Sequence, residues 1–109
     1  MNATFKRFLR VYTPGNPKFQ LRRGEFGISV FDPDAVTPPL SEAEILSSFR
    51  PGSQTVSKTD AEIHAQVLMI VSIPGAGQLS ARLQVAHAEI RPGPGLKRNQ
   101  FKAALKRLE

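Results

Sequence analysis

The densest chemistry in this chain sits at residues 83–92, LQVAHAEIRP. Extended as a strand, the segment places His87, Glu89 and Arg91 on one face and Ala86, Ala88 and Ile90 on the other. An imidazole, a carboxylate and a guanidinium then share one polar surface. Such a surface suits a cleft wall that handles a polar or anionic ligand. The plainer alternative is a solvated sheet face, where charged side chains are usually found.

Two other segments present polar or aromatic residues opposite their core residues. In FKRFLRVY (5–12), alternation puts Phe8, Arg10 and Tyr12 on one side and Leu9 and Val11 on the other. In EFGISVF (25–31), Ile28 and Val30 face the core while Gly27 and Ser29 face away. If the three polar faces converge, they form a cleft. Arg10 can then fix a phosphate or ribose through its planar fork of donors, and Phe8 and Tyr12 can stack on a planar ring. Gly27 admits a ligand close to the backbone, and Ser29 offers one hydroxyl. Glu89 can stabilise positive charge developing on a sugar ring. Each residue also has an ordinary explanation. Arg10 suits a surface charge, Ser29 a strand serine, and His64 the outside of a helical turn. Glu42, Glu44 and Glu62 suit helix starts, and Asp32 and Asp34 a turn.

Other chemistries lack their residues. With no cysteine there is no disulfide framework, thiolate metal site or cysteine nucleophile, and two histidines alone make a poor metal site, so no metal is expected. Gly75-Ala76-Gly77 lacks the spacing and the lysine of a phosphate loop, and no serine stands in a nucleophile elbow. The longest apolar run, 67–73, falls well short of the roughly 20 residues of a membrane span. No apolar leader precedes the first strand, so a cytoplasmic protein without membrane attachment is expected.

The net charge of +6 is concentrated at the two ends, with Lys6, Arg7, Arg10, Lys18, Arg22 and Arg23 near the start and Arg91, Lys97, Arg98, Lys102, Lys106 and Arg107 near the finish. If the fold joins these ends, one positive surface results. It would attract nucleic acid, a phosphorylated cofactor or an acidic protein.

These groups need a scaffold, and the length suits one domain over residues 1–109 that buries roughly two-thirds of its unfolded surface. Nine prolines and eight glycines predict short elements. Strands are predicted over 5–12, 25–31, 54–58, 66–73 and 83–92, with 66–73 the most apolar and therefore central. Ser41 with Glu44, and Thr59 with Glu62, form capping boxes that open short helices. The 74–77 stretch is a loop, and 79–83 fits either a helical turn or an extended approach. In the tail 96–108, Phe101, Ala104, Leu105 and Leu108 make the stripe of an amphipathic helix. The expected fold is α+β: a small twisted, largely antiparallel sheet with two or three short helices and a C-terminal amphipathic helix.

The segments GISVFD (27–32) and LQVAHAEIRP (83–92), followed by a Phe-containing basic helix, together with LRVY around Arg10, resemble small bacterial toxins with an ADP-ribosyltransferase-like fold, of the type VI secretion effector and toxin–antitoxin kind. The matching segments cover the start, the second strand and the last third of the chain. Arg10, Ser29 and His87 stand at matching places, whereas Glu89 comes from the alternation argument alone. No counterpart of the wider superfamily's catalytic glutamate is carried over. The chain also lacks a long insertion between the first two strands, which bears on substrate recognition more than on the cleft.

The resemblance implies an NAD-binding cleft, toxicity towards cytoplasmic targets, and neutralisation by a cognate acidic antitoxin or immunity protein. The expected site then has Ser29, His87 and Glu89 as catalytic residues and Arg10, Tyr12, Phe8 and Gly27 as cofactor-binding ones. NAD is either transferred or hydrolysed. The alternative is a non-catalytic basic module that binds nucleic acid, stacking bases on Phe8 and Tyr12 beside Arg10, or docks on another protein.

Overall fold

A computed structural model describes residues 5–75 and 77–109. Ala76, inside the predicted 74–77 loop, and residues 1–4 lie outside them. The described chain forms strands β1 (Arg7–Tyr12), β2 (Ile28–Phe31), β3 (Gln54–Thr59), β4 (Leu68–Ser72) and β5 (His87–Pro92). Helices α1 (Glu42–Leu46), α2 (Asp60–His64), α3 (Ala81–Ala86) and α4 (Arg98–Arg107) accompany them, with one turn of 3-10 helix at Pro33–Ala35. The strands make a single sheet in the order β3-β1-β2-β5-β4, with every neighbouring pair antiparallel. The α+β class and the antiparallel sheet read from the sequence are therefore present.

Alternation in the strands builds two cores, one on each face of the sheet. Phe8, Ile28, Val30, Ala88 and Ile90 meet Ile63 of α2 and Phe101, Ala104 and Leu105 of α4. On the other face Leu9 and Phe31 meet Ile45 of α1 and Leu83 and Ala86 of α3. Strand β1 is thus buried on both sides at Phe8 and Leu9. Phe31, 1% exposed, gains about 2–3 kcal/mol from burial.

Local chemistry fixes the helix ends. Thr59 and Glu62 make the full reciprocal box, Thr59 Oγ1 accepting from the Glu62 N–H and Glu62 Oε1 from the Thr59 N–H. At α1 only half of the box forms, because Ser41 Oγ accepts from the Glu44 N–H while the Glu44 carboxylate turns to Arg82. Arg82 donates to both Glu44 oxygens (2.7 and 3.2 Å) and to the Pro38 carbonyl, clamping α3 to α1. Asp32 caps the 3-10 turn through its Oδ1, which accepts from the Asp34 N–H.

Three expectations need correction. The apolar run predicted as a central strand is an edge strand: Leu68 faces the α2 and α4 core, while Met69 on the other face stays exposed. The second strand is shorter than 25–31, and the short β2 takes the central place instead. Residues 83–86 are helical, so Ala86 ends α3 and packs with Leu9 and Phe31 rather than beside Ala88 and Ile90. Ser80, whose Oγ accepts from the Leu83 N–H, caps that helix and settles the ambiguity at 79–83.

Candidate functional site

Strands β1 and β2 pair at a single position, Leu9 with Phe31, whereas β1 and β3 pair at six, from Arg7–Thr59 to Tyr12–Gln54. Past Leu9 the two strands part. The guanidinium of Arg10 fills the split, Nη1 donating to the Ser29 carbonyl and Nε to the Lys18 carbonyl, both at 3.0 Å. It thereby replaces the backbone bonds the parted strands cannot make. Burial holds the Arg10 pKa below its ordinary value; Glu25 opposes that shift and Arg22 adds to it. A guanidinium is so basic that the side chain remains a cation.

Around this split lies a cleft of about 320 Å³ whose lining includes Arg10, Tyr12, Arg22, Glu25, Ser29, Phe49 and Arg50. Three guanidiniums face one carboxylate, a balance that favours a polyanion. Phe49 packs its edge against Phe31 (ring centroids 6.0 Å apart), and Tyr12 donates its hydroxyl to Gln54 Oε1. The two aromatic side chains supply apolar surface at the wall of an otherwise polar cleft.

Ser29 joins the cleft to the predicted imidazole. Its hydroxyl lies 3.0 Å from His87 Nε2, and His87 Nδ1 lies 2.9 Å from the Ile73 carbonyl. A carbonyl can only accept, so Nδ1 carries a proton, and in the neutral ring Nε2 accepts from Ser29 Oγ. Arg10, Ser29 and His87, far apart in sequence, thus form one hydrogen-bonded chain. His87 is 5% exposed and sits edge-on to Phe31, which overturns the solvated-face alternative for that residue.

Direct cross-strand partners share a face, and Ser29 pairs with Glu89 while Phe31 pairs with His87. His87, Glu89 and Arg91 therefore lie on one face, as alternation predicts. Arg91 grips Glu89 Oε1 through Nε and Nη2, both at 3.0 Å. The pair is partly exposed, not sealed in a core.

Convergence of all three polar faces does not occur. Leu9 shares the face of Phe31, so Phe8, Arg10 and Tyr12 point to the opposite side of the sheet from Ser29, His87 and Glu89. Only Arg10 reaches back to Ser29. Phe8 is a core residue at 6% exposure and cannot stack on a ligand, so the base-stacking form of the nucleic-acid alternative loses one of its two aromatics. Gly27 does permit a close approach, but by Glu89: an added Cβ would stand 2.7 Å from Glu89 Oε1 and 3.2 Å from the Ile90 carbonyl.

Arg22, Glu25, Phe49 and Arg50 were not singled out from the sequence as site residues. The signals were present as a basic loop and a helix stop, but nothing local shows that these two loops meet. The basic ends do converge, since Arg98 of α4 donates to the Arg22 and Glu25 carbonyls and Glu109 accepts from the Lys18 and Phe19 N–H groups at 2.8 Å.

A second cavity of about 440 Å³ at the other end of the sheet has Phe8, Ile70 and Ala88 beside Lys6, Asp32, Asp60 and the exposed His64. Lys6 Nζ pairs with Asp32 at 3.0 Å. Among the described residues no group of three His, Cys, Asp or Glu side chains could hold a metal ion. Nor is any helix long and apolar enough to cross a membrane. Comparison of the chain with family models, with curated proteins and with solved structures finds no match.

Proposed function

We propose that this chain is a small cytoplasmic toxin of the ADP-ribosyltransferase-like kind that consumes NAD in the cleft at the β1–β2 split and is neutralised by an antitoxin or immunity protein. The observation that carries this reading is the hydrogen-bonded chain from Arg10 through Ser29 to His87. These three residues stand where the chain resembles that toxin family; Arg10 and Ser29 line the basic cleft, and His87 backs Ser29 from the side of the second cavity.

The donor set fits the molecule. Arg22, Arg50 and the unused donors of Arg10 suit a diphosphate, which guanidiniums bind in bidentate fashion. Tyr12 and Phe49 offer apolar flanks to a nucleoside ring. A volume of about 320 Å³ lies in the range of small-molecule sites and accommodates the diphosphate with one nucleoside half. NAD supplies an activated glycosidic bond: its electron pair leaves with nicotinamide, and the ribose C1′ takes a new bond from a water or from a nucleophile of the target, which gives up its proton.

In this mechanism the Ser29 hydroxyl, oriented by His87, holds a ribose hydroxyl. His87 is itself fixed by the Ile73 carbonyl, so the hydroxyl is aimed without a rotamer search. Glu89, the cross-strand partner of Ser29, shares the face of the Ser29 hydroxyl, and its carboxylate would stabilise positive charge developing on a ribose held by that hydroxyl. Arg91 keeps that carboxylate in place.

Purified chain incubated with NAD should release nicotinamide, measured by chromatography, and induced expression should arrest a bacterial host. Glu89→Gln, and Arg22→Glu with Arg50→Glu, should each lower release by about a hundredfold while circular dichroism stays unchanged. Absence of NAD binding, nicotinamide release and growth arrest in the wild-type chain would refute the proposal.

A further inference from the structure

We infer that the free edge of β4, together with the groove between Val67 and α4, docks an extended segment of an acidic protein, which joins the sheet as a sixth strand. This inference rests on the edge of the sheet and is independent of NAD chemistry in the cleft.

The hydrogen-bond register shows which backbone groups are available. The Gly93 N–H donates to the Val67 carbonyl at 2.9 Å and the Ile73 N–H to the His87 carbonyl at 3.0 Å. The odd-numbered residues from 67 to 73 therefore bond to β5, and antiparallel geometry turns the N–H and C=O groups of Leu68, Ile70 and Ser72 outward. Folded proteins usually protect such an edge with a charge, a proline or a bulge. The opposite edge, β3, has the sequence QTVSKT and carries Lys58. Strand β4, LMIVS, has neither charge nor proline, and its Met69 is 41% exposed.

The approach to that edge is also shaped. Val67 has φ of 61°, in the left-handed region that a β-branched residue adopts only when its surroundings impose it. Hydrogen bonds to His64 and Gly93 hold it there, and its side chain stands 56% exposed. Beside it runs a groove of about 390 Å³ lined by Val67, Pro94, Leu96, Gln100, Ala103 and Arg107. The groove adjoins the start of β4 at Val67, so a chain paired along β4 reaches it at that end.

Charge selects the occupant. Of the cations of helix α4, Arg107 lines the groove, and none of the four ion pairs among the described residues involves it. Arg107 donates to the neutral Gln66, 2.6 Å away, at the groove itself. A second copy would bring another chain of net charge +6, with its own basic helix, against this one. An acidic strand complements the edge instead.

Phage-displayed short random peptides selected on the full chain provide the test. Selected sequences should combine β-branched residues with Asp and Glu, and a synthesised winner should slow amide exchange at Leu68, Ile70 and Ser72. Ser72→Pro removes one outward donor at an exposed position, and Arg107→Glu reverses the charge at the groove without touching the sheet. Each variant should weaken binding by about tenfold, the second losing its salt dependence as well. Winners without carboxylates, protection confined to other strands, or β4 protection that appears with self-association of the chain would each overturn the inference.

Discussion

Removing the His87 ring tests the link on which the proposed site depends. The imidazole is 5% exposed, with Phe31 at 5.7 Å between ring centroids and hydrogen-bond partners on both nitrogens. In His87→Ala the lost aromatic contact costs about 1 kcal/mol, and the Ile73 carbonyl, deprived of its donor, a further 1–2 kcal/mol or so. Ser29, half-buried, recovers part of its bond from water, so the total loss is about 3 kcal/mol. Against the roughly 5–15 kcal/mol of a small domain, this lowers the melting temperature by about 15 °C. Ser29→Ala alone costs about 1 kcal/mol. Because the Ser29–His87 bond can be lost only once, the double variant should fall short of the sum of the singles by about 1 kcal/mol. Denaturant unfolding of the four proteins measures this coupling. A coupling below about 0.3 kcal/mol would mean that the bond does not form in solution, and the proposed aiming of the Ser29 hydroxyl would fall with it.

Two further outcomes follow from the geometry. Gly27→Ala places a methyl 2.7 Å from Glu89 Oε1, so the carboxylate must swing away from Arg91, at a cost of about 1–2 kcal/mol in unfolding free energy; a variant as stable as the parent would show that the Glu89 carboxylate is not held there. Glu44 and Glu62 titrate below the ordinary carboxylate value, Glu44 first because of its hydrogen bond from Arg82 and Glu62 first because of the Thr59 N–H. Both lowered values belong to the folded state, so their stabilisation is complete above the unfolded carboxylate pKa and is lost as pH falls through the folded ones. Glu44→Gln and Glu62→Gln should each flatten the acid limb of a stability–pH curve, and an unchanged limb would exclude these bonds as its source.

What could be read in the sequence was local. Alternation placed His87, Glu89 and Arg91 on one face and identified the inward Ile28 and Val30, because side-chain direction in a strand depends only on parity. The capping residues Ser41 and Thr59 mark two helix starts because each bonds an N–H three residues further on. Strand neighbours were beyond that reach. The apolar LMIVS looked doubly buried, yet edge or centre depends on which strands pair, and pairing is decided between segments many residues apart. The same ignorance of order hid the relative face of β1, so Phe8 appeared available when α2 and α4 cover it. Arg22 and Arg50 entered the cleft only through the meeting of two loops. The Ser80 cap is not legible in the sequence because 79–83 fits either a helical turn or an extended approach, and the apolar alternation after it reads as strand.

The order β3-β1-β2-β5-β4 also dictates a sequence of assembly during synthesis. Strands β1 and β3 can pair as soon as residue 59 is made, but β2 has its longer ladder with β5, where Ile28 meets Ile90. Until the last strand emerges, β2 is joined to the growing protein at one position only, and the middle of the sheet is open. Contacts of such long separation form slowly. Ser29 waits through most of translation for the His87 that orients it, so a ribosome-bound fragment ending before β5 has the arginines of the cleft but not its aimed hydroxyl.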